Sequence, residues 1–219
     1  MKRRITHELE EWKAKKNRMP MLLHGARQVG KTHSIREFGK AHYKNIAYVN
    51  FETDPIAGTW FDDSIDPKRI VMLLEASAKI RVLPGETLIV FDEIQSCERA
   101  LTSLKYFNEN APMYHVVAAG SLLGVAIKRE KYSFPVGNVE SKTLHPFTYE
   151  EFLWALGEEM LSEEIKAGFA SNSPLHISLH NKALDLYKIY LITGACRRAF
   201  LNMQVRARLL WCRASKTES

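Results

Sequence analysis

Residues 25–32 read Gly25-Ala26-Arg27-Gln28-Val29-Gly30-Lys31-Thr32 and fit the pattern G-x-x-x-x-G-K-[ST]. Few folds can use such a segment, because each position answers a chemical need. The glycines let the backbone approach an anionic ligand, and successive N–H groups with a helix N-terminus bind phosphate oxygens. A lysine at position 31 reaches β- and γ-phosphates, and the Thr32 hydroxyl can ligate Mg²⁺. The nucleotide-binding set is therefore Gly25, Ala26, Arg27, Gln28, Val29, Gly30, Lys31, Thr32 and His33. The pattern occurs by chance in surface turns, so its flanks decide. Here an apolar run at 19–23 precedes it and a helical pattern follows through Phe38 and His42, which is the required strand–loop–helix order.

The same alternation continues along the chain. Strands are expected at 46–51, 88–91, 114–119 and 139–144, where short β-branched and apolar runs are bounded by turn residues. Helices are expected at 3–16, from Asp66-Pro67 onward (cap, then first helical position), at 98–108, at 148–156 and at 175–192. The partly polar segment 157–174 reads as a loop or short helical insertion. Short buried strands alternating with helices predict an α/β fold: a P-loop NTPase with a mostly parallel, doubly wound sheet flanked by helices, and a small C-terminal helical region. The expected organisation is an ATPase core over 1–147, a helical extension over 148–194 and a tail over 195–219.

A second motif gives the loop a partner. Residues 88–91 (LIVF) deliver Asp92 and Glu93 to the C-terminal end of a buried strand, the end at which open α/β sheets bind ligands. Asp92 is the expected Mg²⁺ ligand with Thr32, while Glu93 is the expected base that orients and deprotonates water. A third run, Val116 to Ser121, ends a strand in a small polar residue. Ser121 is either a sensor touching the γ-phosphate or the N-cap of a helix starting at Leu122. A GTPase would need Asn-Lys-x-Asp, and Asn181-Lys182-Ala183-Leu184 lacks the acid. The Asp-Glu pair favours water as nucleophile over a small-molecule acceptor. Glu52, Asp54 and His24 read as solvated or packing residues, and Trp60, Trp154 and Trp211 form no stacking pattern.

The net charge of +6 suggests a nucleic-acid partner, but its distribution argues otherwise. The last 25 residues hold six Lys/Arg against Glu218, so +5 lies there and +1 in the preceding 194. Lys13, Lys15, Lys16 and Arg18 form only a modest basic run, read as a solvated helix face. Three cysteines, Cys97, Cys196 and Cys212, have no metal-ligand spacing and suit a reducing compartment. Met1-Lys2-Arg3-Arg4 is followed by no apolar stretch, and no run approaches the roughly 18 apolar residues of a membrane span, so a cytoplasmic protein is expected.

GARQVGKT, Asn50-Phe51-Glu52, LIVFDEIQ at 88–95, AAGSLLGV at 118–125 and FPVGNVESKTLHPFTYEEFLWALG at 134–157 together resemble one prokaryotic family of AAA-superfamily ATPases. Its members usually carry an uncharacterised conserved domain after the ATPase core. The resemblance runs from the first helix to Gly194. It implies that Lys31 and Thr32 bind nucleotide and Mg²⁺, that Asp92 and Glu93 are the Walker B pair, and that Ser121 is the sensor, so that Glu93, Lys31 and Ser121 form the catalytic set. Relatives often have a basic residue where this chain has Asn138, which leaves Arg129 and Lys128 as the nearby arginine-finger candidates, with solvated helix charges as the favoured alternative. Relatives also tend to read Gly-Gly-Met-Pro-Glu-Ala where this chain reads Gly194-Ala195-Cys196-Arg197-Arg198-Ala199. One lost base converts the codons of the first into the second, so a frameshift near Gly194 is expected, with a basic native tail as the alternative.

The function expected from these readings is Mg²⁺-dependent ATP binding and hydrolysis, acting on an unknown protein partner and compatible with a homo-oligomer. The alternative is a nucleotide-binding switch or an ATP-binding fragment with little turnover. Nucleic-acid binding is a third, weaker expectation, and no membrane partner is expected.

Overall fold

The computed structural model describes residues 3–121 and 137–193. Two compact units divide the chain, Ile5–Leu144 and, among the described residues, 3–4 with 145–193. The elements, in order, are α1 (Arg4–Ala14), β1 (Met21–Gly25), α2 (Lys31–His42), β2 (Asn45–Asn50), α3 (Pro55–Thr59), α4 (Pro67–Ala78), β3 (Thr87–Asp92), α5 (Glu98–Asn110), β4 (His115–Ser121), β5 (Glu140–Thr143), α6 (Tyr149–Leu156), α7 (Glu159–Ser171) and α8 (Ile177–Thr193). A single 3₁₀ turn, Ile94–Ser96, links β3 to α5.

The five strands form one parallel sheet in the order β2-β3-β4-β1-β5. Strand periodicity explains why helices cover both faces. In β3, Leu88 and Val90 join one apolar layer, while Ile89 and Phe91 join the other. In β4, Val117 and Ala119 face the first layer, and Val116 and Ala118 face the second. The first layer is closed by Ile5, Leu9 and Trp12 of α1 with Ile35 and Phe38 of α2. The second is closed by Ile70, Val71 and Leu74 of α4 with Ala100, Leu104 and Phe107 of α5. Each helix contributes residues spaced three or four apart, so one stripe is buried and the opposite face stays wet. The order also places β4 between β1 and β3. The strand carrying Ser121 thus separates the strands that carry the glycine-rich loop and the acid pair.

Local sequence sets the helix starts. Asp66 accepts from the Arg69 N–H at 3.4 Å, with Pro67 at the first helical position of α4. Thr148 and Glu151 form a reciprocal capping box at the start of α6. In the same unit Arg3 donates to Glu151 at 3.1 Å and to the His145 carbonyl at 2.8 Å, so its buried charge is paired and hydrogen-bonded. Tyr149 and Tyr190 tie α8 to this unit through the carbonyls of Ala183 and Phe147, at 2.6 and 2.9 Å.

Of the two readings left open for 157–174, a loop or a short helical insertion, the structure has a helix, the 13-residue α7. Its polar composition is compatible with this because Glu159, Glu163, Glu164 and Lys166 are good helix formers in water, and Leu161 and Ser162 supply the buried contacts. Asn172, left-handed at φ 52°, ends it. The short helix α3 and the 3₁₀ turn were not anticipated. The tail after Gly194, Lys128, Arg129 and the segment that would be capped by Ser121 lie outside the described residues.

Three residues of the basic run near the start, Lys13, Lys15 and Arg18, make internal contacts. Arg18 donates to the Lys13 carbonyl at 2.9 Å, at the C-terminal end of α1, and lies over the Trp12 ring. Lys13 bonds the His42 carbonyl, and Lys15 pairs with Glu140 at 2.7 Å. Beneath them Tyr43 and His115 share a hydrogen bond of 2.7 Å between the phenol oxygen and Nδ1. Burial, then the charges of Arg18 and Lys13, push the His115 imidazole down from its ordinary 6.5 to about 4. Unfolding frees His115 to take up a proton near pH 6.5, so its contribution to stability is fully present above that pH. It is lost as pH falls toward 4, and amounts to about 3 kcal/mol over the whole window. We predict that Tm declines more steeply between pH 7 and pH 4.5 in the wild type than in His115→Gln, measured by thermal unfolding at matched ionic strength.

Candidate nucleotide-binding site

The loop and the acid pair meet at the C-terminal edge of the sheet. Gly25 is the last residue of β1, residues 26–28 form the exposed turn, Val29 is buried, and Gly30 caps α2, whose first turn holds Lys31, Thr32 and His33. Gly30 sits at φ 98° and Gln28 at φ 64°, left-handed positions that turn the chain back into the helix. Gly25 is required for a different reason. A Cβ built on it would stand 2.3 Å from the Leu144 carbonyl oxygen, so the end of β5 leaves no room for a side chain. Leu144 is held there by its N–H, which donates to the His24 carbonyl at 2.7 Å. Sequence reading took His24 for a packing residue; its backbone proves to anchor the neighbouring strand.

Lys31 is only 7% exposed. Its ammonium donates to the Gly25 and Ala26 carbonyls at 3.0 and 2.9 Å. Burial pulls the ammonium below its ordinary value, and the Glu93 and Asp92 carboxylates partly offset that pull. The charge is thus held at the mouth of the loop.

Asp92 is the centre of the arrangement. Its Oδ2 accepts from Thr32 Oγ1 at 2.7 Å, across 60 residues of sequence, and also from the Tyr48 hydroxyl at 2.7 Å. Its Oδ1 accepts from the Glu93 N–H at 3.0 Å. Parallel pairing sets this up, because Asn50 lies opposite Asp92 and Tyr48 opposite Val90 in the β2–β3 register. The Tyr48 hydroxyl is raised above its ordinary value, first by burial and then by its bond to Asp92, and its ring lies 4.0 Å below the Arg36 guanidinium. Sequence reading missed Tyr48. The available signal was its place two residues before Asn50-Phe51-Glu52, on the same side of β2 as Asn50. Asp54, dismissed as a loop acid, caps α3 by accepting from Ala57 N–H at 3.3 Å. Glu52 stays exposed, its N–H bonded to Asn50 Oδ1 at 2.9 Å.

Glu93 follows Asp92 in the left-handed region, at φ 51°. For a residue with a Cβ this costs on the order of 1 kcal/mol, and such conformations concentrate at functional sites. Gln95 Nε2 donates to Glu93 Oε2 at 2.5 Å, and Gln95 Oε1 accepts from the Ser121 N–H at 3.2 Å. Ser121 closes β4 directly opposite Gly25. Asn138 is bonded through its side-chain oxygen to Asn108 Nδ2 at 2.9 Å, on α5.

These residues fit a nucleotide with Mg²⁺. Thr32 and Asp92 place two hard oxygen donors side by side, the type and number Mg²⁺ takes from a protein when phosphates and water supply the rest. The buried ammonium of Lys31 and the left-handed loop have the charge and backbone shape that phosphates would require.

A five-stranded parallel sheet of this order, with a phosphate-type loop after β1 and an acid pair at the end of β3, defines a P-loop NTPase fold. The family model for an AAA domain matches residues 17–153, more than half of the chain, and the chain belongs to that family. It is an ATP-binding domain of AAA type. Among solved structures it is similar to the replication initiator DnaA bound to AMPPCP and single-stranded DNA. That pair is 13% identical with a TM-score of 0.52, over 94% of this chain and 61% of that one. It is likewise similar to Drosophila ORC bound to DNA, 16% identical with a TM-score of 0.50, over 92% and 58%. C. elegans PCH-2 matches at 12% identity and a TM-score of 0.42, over 80% and 48%. At these identities the first two likenesses concern the fold alone, and the chain spans about half to three fifths of the matched chains. Comparison with curated proteins gives no significant match.

Two substitutions probe the site. We predict that Gly25→Ala destabilises the fold by about 1–3 kcal/mol, because the Leu144 backbone must move, and urea unfolding measures this. Tyr48→Phe leaves a buried carboxylate one donor short and is predicted to cost about 1–2 kcal/mol in the same assay.

Proposed function

We propose that this chain hydrolyses ATP in the presence of Mg²⁺ and couples the cycle to an unidentified partner. The observation that carries the reading is the bond between Thr32 and Asp92, which brings loop and acid pair into contact at 2.7 Å. Thr32 and Asp92 would hold Mg²⁺, which when bound neutralises phosphate charge. The backbone N–H groups of 25–33 would cradle the phosphates, with Lys31 supplying the fixed positive charge next to the leaving oxygens. Glu93 would orient a water molecule and take its proton as the water oxygen bonds to the terminal phosphorus, releasing ADP and phosphate. Ser121, at the end of the strand between the two motifs, would report the terminal phosphate to the rest of the sheet.

The ATPase core in this reading spans 1–147 and contains the unit Ile5–Leu144, with 148–194 as a helical extension. Nucleotide is the first ligand, and a homo-oligomer would offer each site an arginine from a neighbour. The similar DnaA structure is bound to single-stranded DNA and the similar ORC structure is bound to DNA. Support for DNA binding by this chain is weaker, since Lys13, Lys15 and Arg18 are engaged internally. Among the described residues no helix is long and apolar enough to cross a membrane, and a cytoplasmic location is proposed.

The test is ATP turnover with Mg²⁺ and binding of a fluorescent ATP analogue. Glu93→Gln is expected to lower kcat on the order of 10²- to 10³-fold while retaining binding, as for loss of a general base. Lys31→Ala is expected to abolish both. Binding by the wild type without turnover would instead identify a nucleotide-responsive switch.

A further inference from the structure

The turn after the acid pair carries a side chain to which neither motif assigns a role. Gln95 is the middle residue of the 3₁₀ turn Ile94–Ser96. Its amide makes two contacts of opposite sense, donating from Nε2 to Glu93 Oε2 and accepting at Oε1 from the Ser121 N–H. A carboxylate only accepts and a backbone N–H only donates, so one orientation of the amide satisfies both partners and the flipped one satisfies neither. The two partners lie at the ends of different strands, since Glu93 follows β3 and Ser121 ends β4. Gln95 therefore spans the edge of the sheet between them.

Backbone geometry serves the same contact. The left-handed conformation of Glu93 starts the turn, and the Ser96 N–H closes it on the Glu93 carbonyl at 2.9 Å. This folds position 95 back toward the residue two before it. A glutamate side chain on its own samples many rotamers, and a neutral donor fixes it without cancelling its charge, as a lysine would.

We propose that Gln95 is a positioning residue that fixes the Glu93 carboxylate relative to the end of β4, so that displacement of Ser121 re-aims Glu93. The proposal rests on the reading of Glu93 as the base. It adds a route by which the sensor strand controls that base.

Gln95→Met keeps length and volume but removes both contacts. In the full chain, with ATP and Mg²⁺, kcat is expected to fall on the order of 10- to 100-fold, the scale of a misplacement of about 1 Å. KM and the affinity for a fluorescent ATP analogue stay within about twofold, because the phosphate-binding loop is untouched. Gln95→Glu, which retains the acceptor but sets a carboxylate against Glu93, should not restore kcat. Unchanged kcat in both variants overturns the proposal, as does a loss that appears in KM and binding alone.

A second readout does not depend on turnover. The Ser121 backbone amide, followed by hydrogen exchange in NMR spectra, should exchange faster in Gln95→Met and also in Glu93→Ala, which frees the far end of the bridge. Exchange unchanged in both variants overturns the proposal even if the wild type proves to be a non-hydrolysing switch. Faster exchange in both sustains it in that case. Should Gln95→Met not fold, Gln95→Asn, one methylene too short to reach both partners, is read in the same two ways.

Discussion

Burying a carboxylate is tolerated only when hydrogen bonds replace its water. Asp92, 1% exposed, meets that condition with three donors drawn from three elements: Thr32 on α2, Tyr48 on β2 and the backbone of Glu93. Removing any one leaves a buried charge under-solvated. The requirement therefore fixes the helix after the glycine-rich loop, the edge strand β2 and the turn after β3 against one another. All three donors are neutral groups.

The sheet supplies the frame in which these donors can converge. Parallel pairing puts the C-terminal ends of β1, β3 and β4 on one edge, and the central position of β4 sets Ser121 opposite Gly25. Two apolar layers, one under α1 and α2 and one under α4 and α5, hold the strands from both faces. Such a sandwich has little freedom to slip, since a one-residue shift would exchange the two sets of buried side chains. Close approach tightens it further at Gly25, where a neighbouring carbonyl occupies the space of a side chain.

Charge is handled locally throughout. Lys31 is kept at the loop by two carbonyls, with Glu93 and Asp92 close enough to support its charged form. At the start of the chain, basic residues that suggest a nucleic-acid surface cap α1, pair with Glu140 and bond the end of α2. A count of lysines and arginines cannot separate these uses, because only the fold says which carbonyls and carboxylates lie within reach.

The glycine-rich loop, the acid pair and the apolar strands were legible because each follows from a local rule: phosphate chemistry at fixed spacing, or a buried run with a fixed period. From these the sequence by itself determined the class of fold and the strand that carries each motif, and it nominated the side chains proposed to meet a nucleotide. For α7 the sequence left loop and helix both open, because two buried contacts give only a short apolar pattern. Tyr48 and Gln95 were invisible for another reason. Their roles depend on register and on a left-handed turn, which join residues of separate strands through single hydrogen bonds. Only the tertiary structure decided those contacts, because a hydrogen bond forms or fails within a few tenths of an ångström, a precision that composition and spacing do not carry.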